Sequence, residues 1–441
     1  MSRATGPDLF VDDARLGQGA TAALLVHGIG QLVTVHDPEL DGAGPRRGRG
    51  LGELGVFTGA ALAVEEGRVL AVGREAAVRA AVRLAPGAAL VDAGGRCVVP
   101  GWVDPHTHAV FGRTRQDEYE RRVRGETYLQ IAAAGGGIHA SVRDLRGRSE
   151  DELVTLSVPR LAEMLAHGTT TVEIKSGYGL TLADESKMLR AARRAAAAAG
   201  VRAVLTCLAA HEVPAEYKDR REAYVRLIVE EILPVVAREG LAERVDVFCE
   251  PSVFTLEETE RIVHAAARVG LGATLHAEEL EPMGGAALAA RLDASSADHL
   301  IRIDATGIAA LAAAGTVAVL LPGTVFTLGL ARYAPAREMI EAGCAVALAT
   351  DFNPGSSPLQ SMPLVQAIAC TQMRMTPAEA LVASTLNSAW ALGLARQVGS
   401  LAPGKAADFL LLDGEDYRLV AYRAGHNPVA AVWRDGRPVG R

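Results

Sequence analysis

VVPGWVDPHTH (residues 98–108) runs from apolar, β-favouring residues straight into two histidines separated by a single residue. Side chains alternate faces along a strand, so His106 and His108 are expected to project the same way. Two imidazoles on one face at a strand end make half of a metal site. The plainer reading is a pair of surface histidines. The rest of the chain counts against it, because further ligand-type residues recur at equivalent places.

Those places are strand ends. Eight strand-like segments occupy the middle of the chain: CVVPGWVD (97–104), GTTTVEIK (168–175), VRAVLTCLAAH (201–211), RVDVFCE (244–250), GLGATLHA (270–277), ASSADHL (294–300), GTVAVLLP (315–322) and CAVALATD (344–351). Helical stretches fall between most of them: ESKMLRAARRAAAAA, REAYVRLIVEEILPVVARE, TLEETERIVHAAARV, DATGIAALAAA and APAREMIEA. Alternating βα units imply a parallel sheet. Eight of them suggest a closed (β/α)8 TIM barrel, with an open doubly wound sheet as the competitor. The polar residues decide between the two. His106, His108, Lys175, His211, Glu250, His276, His299 and Asp351 all fall at or just past strand C-termini. A barrel gathers those ends at one mouth, whereas an open sheet spreads them along an edge.

The two ends of the chain read as β structure. AALLVHGIGQLVTV, GVFTGAALAVEEGRVLAVG and GAALVDAG are short segments split by glycine turns, and no helix of real length is expected before about residue 75. GKAADFLLLD and VAAVWRDGRPVG near the other end resemble them, with Asp435-Gly436 as a hairpin turn. The expectation is a small composite β-sandwich from residues 1–96 and 396–441 beside a barrel over 97–395. The chain would cross from one to the other at Gly94-Gly95.

Composition narrows the function classes. The 441 residues carry a net charge of −7, which argues against a nucleic-acid surface. The N-terminal stretch MSRATGPDLFVDDARLG lacks the apolar core of a signal peptide, and no apolar run is long enough to span a bilayer. Five scattered cysteines without a CxxC pair are expected to be buried free thiols, and the cytoplasm is the expected compartment.

His276 closes an apolar strand in GATLHAEE and is the third candidate ligand; alone it would read as a satisfied polar residue. Asp351 in VALATDFNPGSSP follows a run of small and apolar residues, where a carboxylate is costly unless paired or metal-bound. Its alternative role is to cap the following turn. Three imidazoles and one carboxylate suit one divalent metal, Zn2+ or Fe2+. Glu279 and His299 should face the same mouth. A carboxylate beside a metal site is a natural general base, and His299 would hydrogen-bond the reacting water or a developing oxyanion. Of the acidic pair, Glu278 is read as the solvated charge. His211, ending LAAH, would sit over the substrate.

On these residues the chain resembles the mononuclear amidohydrolase superfamily. The likeness spans nearly the whole chain and includes LVDAGGRCVVPGWVD and GSLAPGKAADFLLLD (399–413), which echo that family's small β-sandwich. EIKSGYGL (173–180), LAAHEVP (208–214), DVFCE (246–250) and DFNPGSSP (351–358) are similar to the imidazolonepropionase family. That resemblance implies hydrolysis of 4-imidazolone-5-propanoate to N-formimino-glutamate with zinc or iron (Fe2+ or Fe3+). The implied catalytic residues are Glu279, His299 and Asp351. The expected partners are a small anionic substrate and, in a homodimer, a second copy of the chain, without nucleic acid or membrane.

An anionic substrate needs a cation, and Arg115 lies seven residues past His108. It could hold a carboxylate through a forked pair of hydrogen bonds, or be one surface arginine among Arg113, Arg121 and Arg122. Tyr128 and Tyr178 offer hydroxyls. Asn353, Gly355 and Ser356 could bind the substrate's polar groups, and GGGI (135–138) is either a closing loop or a turn. Lys175 could bridge two metals as a carboxylated lysine. The single-metal reading makes it structural, paired with Glu173 or Glu250. Two other functions compete: a deaminase of the same superfamily, acting on a nucleobase or formimino-glutamate, and a non-catalytic scaffold of this fold. The second would be expected to have lost its ligands.

Overall fold

The computed structural model of the chain describes residues 8–42, 44–126, 130–131 and 134–439. Its centre is a parallel sheet of eight strands, in chain order Trp102–Asp104, Thr169–Lys175, Arg202–Ala210, Arg244–Cys249, Gly272–Ala277, Ser296–His299, Val317–Leu320 and Val346–Leu348. The circle closes just beyond the first and last strands. The Asp104 carboxylate accepts hydrogen bonds from the Thr350 amide (3.1 Å) and hydroxyl (2.6 Å). The Asp351 amide donates to the His106 carbonyl (3.1 Å), and Thr107 pairs in parallel with Phe352. The expected (β/α)8 barrel is therefore present, and each expected strand contains one of these eight.

The strands read as apolar runs because helices cover them outside and packed side chains fill them inside. Thr169–Lys175 is buried along its whole length. The helix after it, Leu182–Ala199, begins at Thr181, whose side chain accepts from the Asp184 amide, and ends at Gly200 in the left-handed region. Its buried stripe of Met188, Leu189, Ala192, Ala195 and Ala196 lies against the barrel. Small alanines let it pack closely.

The two ends of the chain share a second sheet of nine strands. Its path runs Leu9–Val11, Arg68–Arg74, Val56–Glu65, Thr21–Val33, Cys97–Pro100, Phe409–Leu412, Val429–Arg434 and Arg437–Val439, with Arg83–Asp92 also paired to Thr21–Val33. The Phe409 and Trp433 rings stack at 4.7 Å within its core. Arg434 pairs with Arg437 across Asp435-Gly436, both with positive φ, as a two-residue hairpin requires.

One expectation is corrected here. The segment 97–104 is two strands in two sheets. Cys97–Pro100 pairs with Phe409–Leu412 and Thr21–Val33 in the terminal sheet, and only Trp102–Asp104 enters the barrel. The crossing lies at Gly101, not at Gly94-Gly95. The barrel passes so close there that a Cβ on residue 101 would stand 2.4 Å from Thr170 Oγ1. Apolar residues on both sides of Gly101 hide the change of sheet from any hydropathy pattern. Arg202, opening the third barrel strand, clamps the two parts by pairing with Asp408 and, at 2.6 Å, with Asp435. Among the described residues all five cysteines are free, and no helix is long and apolar enough to cross a membrane.

Candidate metal centre and active site

Barrel closure brings the strand ends to one mouth. His106 and His108 follow the first strand with ring centroids 5.3 Å apart. Thr107 between them turns the other way and donates its hydroxyl to the Glu173 carbonyl at 2.6 Å. His276, near the end of the fifth strand, lies with its ring 4.4 Å from that of His106 and 5.6 Å from that of His108. One ring nitrogen from each of the three falls within 4.8 Å of the others. Asp351 Oδ1 stands 3.5 Å from His106 Nε2 and 3.6 Å from His108 Nε2. His106, His299 and Asp351 form an overlapping group of the same size, so His299 flanks the cluster. All five side chains are buried.

Behind the rings stand carboxylates. Asp298 Oδ2 is 2.6 Å from His106 Nδ1, and Asp246 Oδ2 is 2.8 Å from His276 Nδ1. The Asp298 contact is a hydrogen bond that holds the proton on His106 Nδ1 and turns its Nε2 lone pair outward, whereas Asp246 faces His276 Nδ1 as an opposite charge. His106 Nε2 is buried without a hydrogen-bond partner, which a bound cation would satisfy. Burial holds His106 and His108 neutral, well below the usual histidine range, which is the protonation state a ligand needs. Asp351 is pushed up to about 6 by burial, and its Oδ2 accepts from Thr324 Oγ1 at 2.5 Å. The His106–His108–His276 triad, with Asp351 beside two of its three rings, is a donor set that fits a divalent cation.

Glu279 lies on the turn after His276, with its side chain only 14% exposed and Oε2 3.6 Å from His299 Nε2. Burial, and then the negative Asp351, push it up to about 8. A carboxylate tuned towards neutrality can both take and return a proton. Glu250, buried at the end of the fourth strand, shapes that turn by accepting from the amides of Glu279 (2.6 Å), Leu280 (3.2 Å) and Glu281 (3.2 Å). Glu278 corrects an expectation. It is 2% exposed rather than solvated, has a positive φ, and accepts from the Gly284 amide at 3.0 Å. His299 and Asp351 also have positive φ, backbone strain of the kind that collects at functional sites.

Arg115 is no surface arginine. Its side chain is 7% exposed, Nη2 donates to Glu118 Oε2 at 2.6 Å, and Nε is buried without a partner. It reaches the loop after the last strand so closely that a Cβ on Gly355 would stand 2.4 Å from Nη1. Glu118 also accepts from the Gly137 amide at 3.1 Å, tying the GGGI stretch to this arginine. A cavity of about 420 Å3 opens here, lined by Phe111, Arg115, Arg122, Phe352, Asn353 and Gly355 among others. Asn353 knots its own loop. Its Oδ1 accepts from the Gly355 and Ser356 amides, both at 2.8 Å, and its Nδ2 donates to the Asp351 carbonyl at 2.7 Å. Tyr178 is buried 6.0 Å from the His108 ring, and the His211 ring stacks on His108 at 5.1 Å. His211 Nδ1 donates to the Gly177 carbonyl (3.0 Å), which leaves Nε2 as the acceptor; burial, then His276, bring this imidazole down to about 3. Tyr128 lies outside the described residues.

Lys175 pairs with Glu173 (2.7 Å), as expected, but not with Glu250. Its other partners are Asp246 (2.9 Å) and Asp298 (3.8 Å). Sequence reasoning missed both aspartates. The available signal was a single carboxylate inside an apolar strand, as in RVDVFC and SADH, which is costly without a buried partner.

The amidohydrolase family model matches residues 97–439. An imidazolonepropionase of Symbiobacterium thermophilum is 49% identical over 94% of this chain and 96% of its own length. Those of Solibacter usitatus (48%; 93% and 97%) and Geobacillus kaustophilus (46%; 94% and 97%) are nearly as similar. Among solved structures, a zinc-bound adenosine deaminase from Xanthomonas campestris superposes with a TM-score of 0.69 at 21% identity, covering 95% of this chain and 93% of that one. A 5-methylcytosine deaminase from Klebsiella pneumoniae gives 0.70 at 17% identity, covering 95% and 98%. Likeness at that identity is likeness of fold.

Proposed function

The chain belongs to the amidohydrolase family and, within it, to the imidazolonepropionases, and from that premise we infer that it hydrolyses 4-imidazolone-5-propanoate to N-formimino-L-glutamate in histidine degradation. The observation that carries the reading is similarity to imidazolonepropionases over nearly the full length of both chains. Both the family and the buried His–Asp cluster support a divalent metal. We assign its ligands as His106, His108, His276 and Asp351, and the metal as zinc or iron. When bound, it supplies a Lewis acid that lowers the pKa of water and polarises a carbonyl.

The chain's own residues account for the rest. Glu279 takes a proton from the attacking water and returns it to the ring nitrogen as the amide C–N bond opens. Its raised pKa suits both transfers. His299, neutral and beside Glu279, hydrogen-bonds the reacting oxygen. Arg115 takes the propionate carboxylate, since it is a buried guanidinium at the cavity wall with one N–H unmatched. Tyr178, His211, Asn353, Gly355, Ser356 and Tyr128 are proposed as the further substrate contacts. The free thiols are in keeping with a cytoplasmic enzyme.

The test is to follow imidazolonepropionate absorbance with purified enzyme and to identify the product. Formimino-glutamate without ammonia is expected. Release of ammonia would make the enzyme a deaminase. Chelation should abolish turnover, and adding back Zn2+ or Fe2+ in turn should show which metal restores it.

A further inference from the structure

Lys175 is a fully buried ammonium with no place in the proton transfers above. Its surroundings are unusual. Nζ lies 2.7 Å from Glu173 Oε1, 2.9 Å from Asp246 Oδ2 and 3.8 Å from Asp298 Oδ2. The two aspartate oxygens are the same atoms that face His276 Nδ1 and His106 Nδ1. The Lys175 amide donates to the Thr107 carbonyl (2.9 Å), between His106 and His108. Its strand neighbour Glu173 accepts from the Thr107 amide at 3.3 Å and from the Thr107 hydroxyl through its carbonyl. One residue on the second strand therefore touches the supports of ligands from the first and fifth strands. Three carboxylates facing Nζ also favour the ammonium over the anionic carbamate that a metal bridge would need.

We propose that Lys175 is a positioning residue for the metal: it pins Asp246 and Asp298 so that they aim His276 and His106 at one point. Asp246 and Asp298 would repel each other if left without a cation between them. With Lys175 between them, both carboxylates stay against their histidines, and two separate dyads become one rigid frame. Loss of such outer supports typically weakens metal affinity 10- to 100-fold.

The proposal rests on the ligand assignment made above, and the test separates the two. Apoprotein is titrated with Zn2+ against a competing chelator, and Co2+-loaded protein is read by its visible absorption spectrum. Three chains are compared: the parent, Lys175→Met, and Lys175→Met/Glu173→Gln, which removes one positive and one negative charge together. The double variant should fold, by circular dichroism, yet bind Zn2+ about 10- to 100-fold more weakly with an altered Co2+ spectrum. Parent-like affinity and spectrum in a folded double variant would overturn the proposal. A double variant that cannot fold would overturn it too, because Lys175 would then serve folding rather than metal geometry. A parent enzyme that binds no Zn2+ would instead overturn the ligand assignment itself.

Discussion

Glu279 shows how one side chain acquires a role from its surroundings. Burial and the nearby Asp351 raise it to about 8, and a base acts only when deprotonated. kcat/KM should therefore rise with pH through an acid limb above the ordinary glutamate range of about 4.3, although a bound cation pulls that limb downward. Glu279→Gln should keep its metal, lose kcat by on the order of 10²-fold or more, and lose the limb. A pH–rate profile of the parent and variant checks both, and a variant with parental kcat moves the role elsewhere. Arg115 is the second residue-scale case. Arg115→Ala removes a charge-assisted contact worth roughly 2–3 kcal/mol of substrate binding, and KM should rise with kcat nearly unchanged. A substrate analogue lacking the carboxylate should not feel the change. If both substrates suffer equally, the arginine is structural.

At the scale of elements, the loop after the eighth strand carries much of the site. Asp351, Asn353 and Gly355 lie within five residues, and Asn353 orders the turn through its amide. Gly355 makes room for the guanidinium, since a Cβ there would stand 2.4 Å from Arg115 Nη1. Gly355→Ala should push the Arg115 guanidinium aside, since every atom its Cβ would crowd belongs to that group. Because the displaced atoms are the far end of a side chain and not backbone, KM should rise while thermal stability stays near the parent's. A large fall in melting temperature with unchanged KM would refute that account. The expected strands were readable because an apolar run bounded by glycines and ending in a polar residue is a strong local pattern. The split at Gly101 was not readable, because apolar, β-favouring residues flank it on both sides and only the distant partners of Cys97–Pro100 and Trp102–Asp104 tell the two sheets apart.

Over the whole molecule, the terminal sheet buttresses the barrel. Arg202 pairs with Asp408, whose side chain is 3% exposed, and with Asp435 in the hairpin turn. Arg202→Ala strands Asp408 without its cation and should cost about 1–3 kcal/mol in chemical denaturation. The pair is remote from the mouth, so activity per folded molecule should not change. A variant as stable as the parent would show that the clamp is idle.

The amino-acid sequence by itself determined the barrel, the composite β-domain and the proposed metal ligands. Each of these is written in local order: strand patterns at regular intervals, an HxH pair, a histidine or aspartate closing an apolar run. Tertiary structure alone decided what stands behind and beside those ligands. Lys175 meets Asp246 and Asp298, Arg115 meets Gly355, and Glu250 holds the turn of Glu279. These partners lie tens to hundreds of residues apart, and no local pattern names which buried charge will face which. Only barrel closure sets those distances, and it turns costly isolated charges into one ordered site.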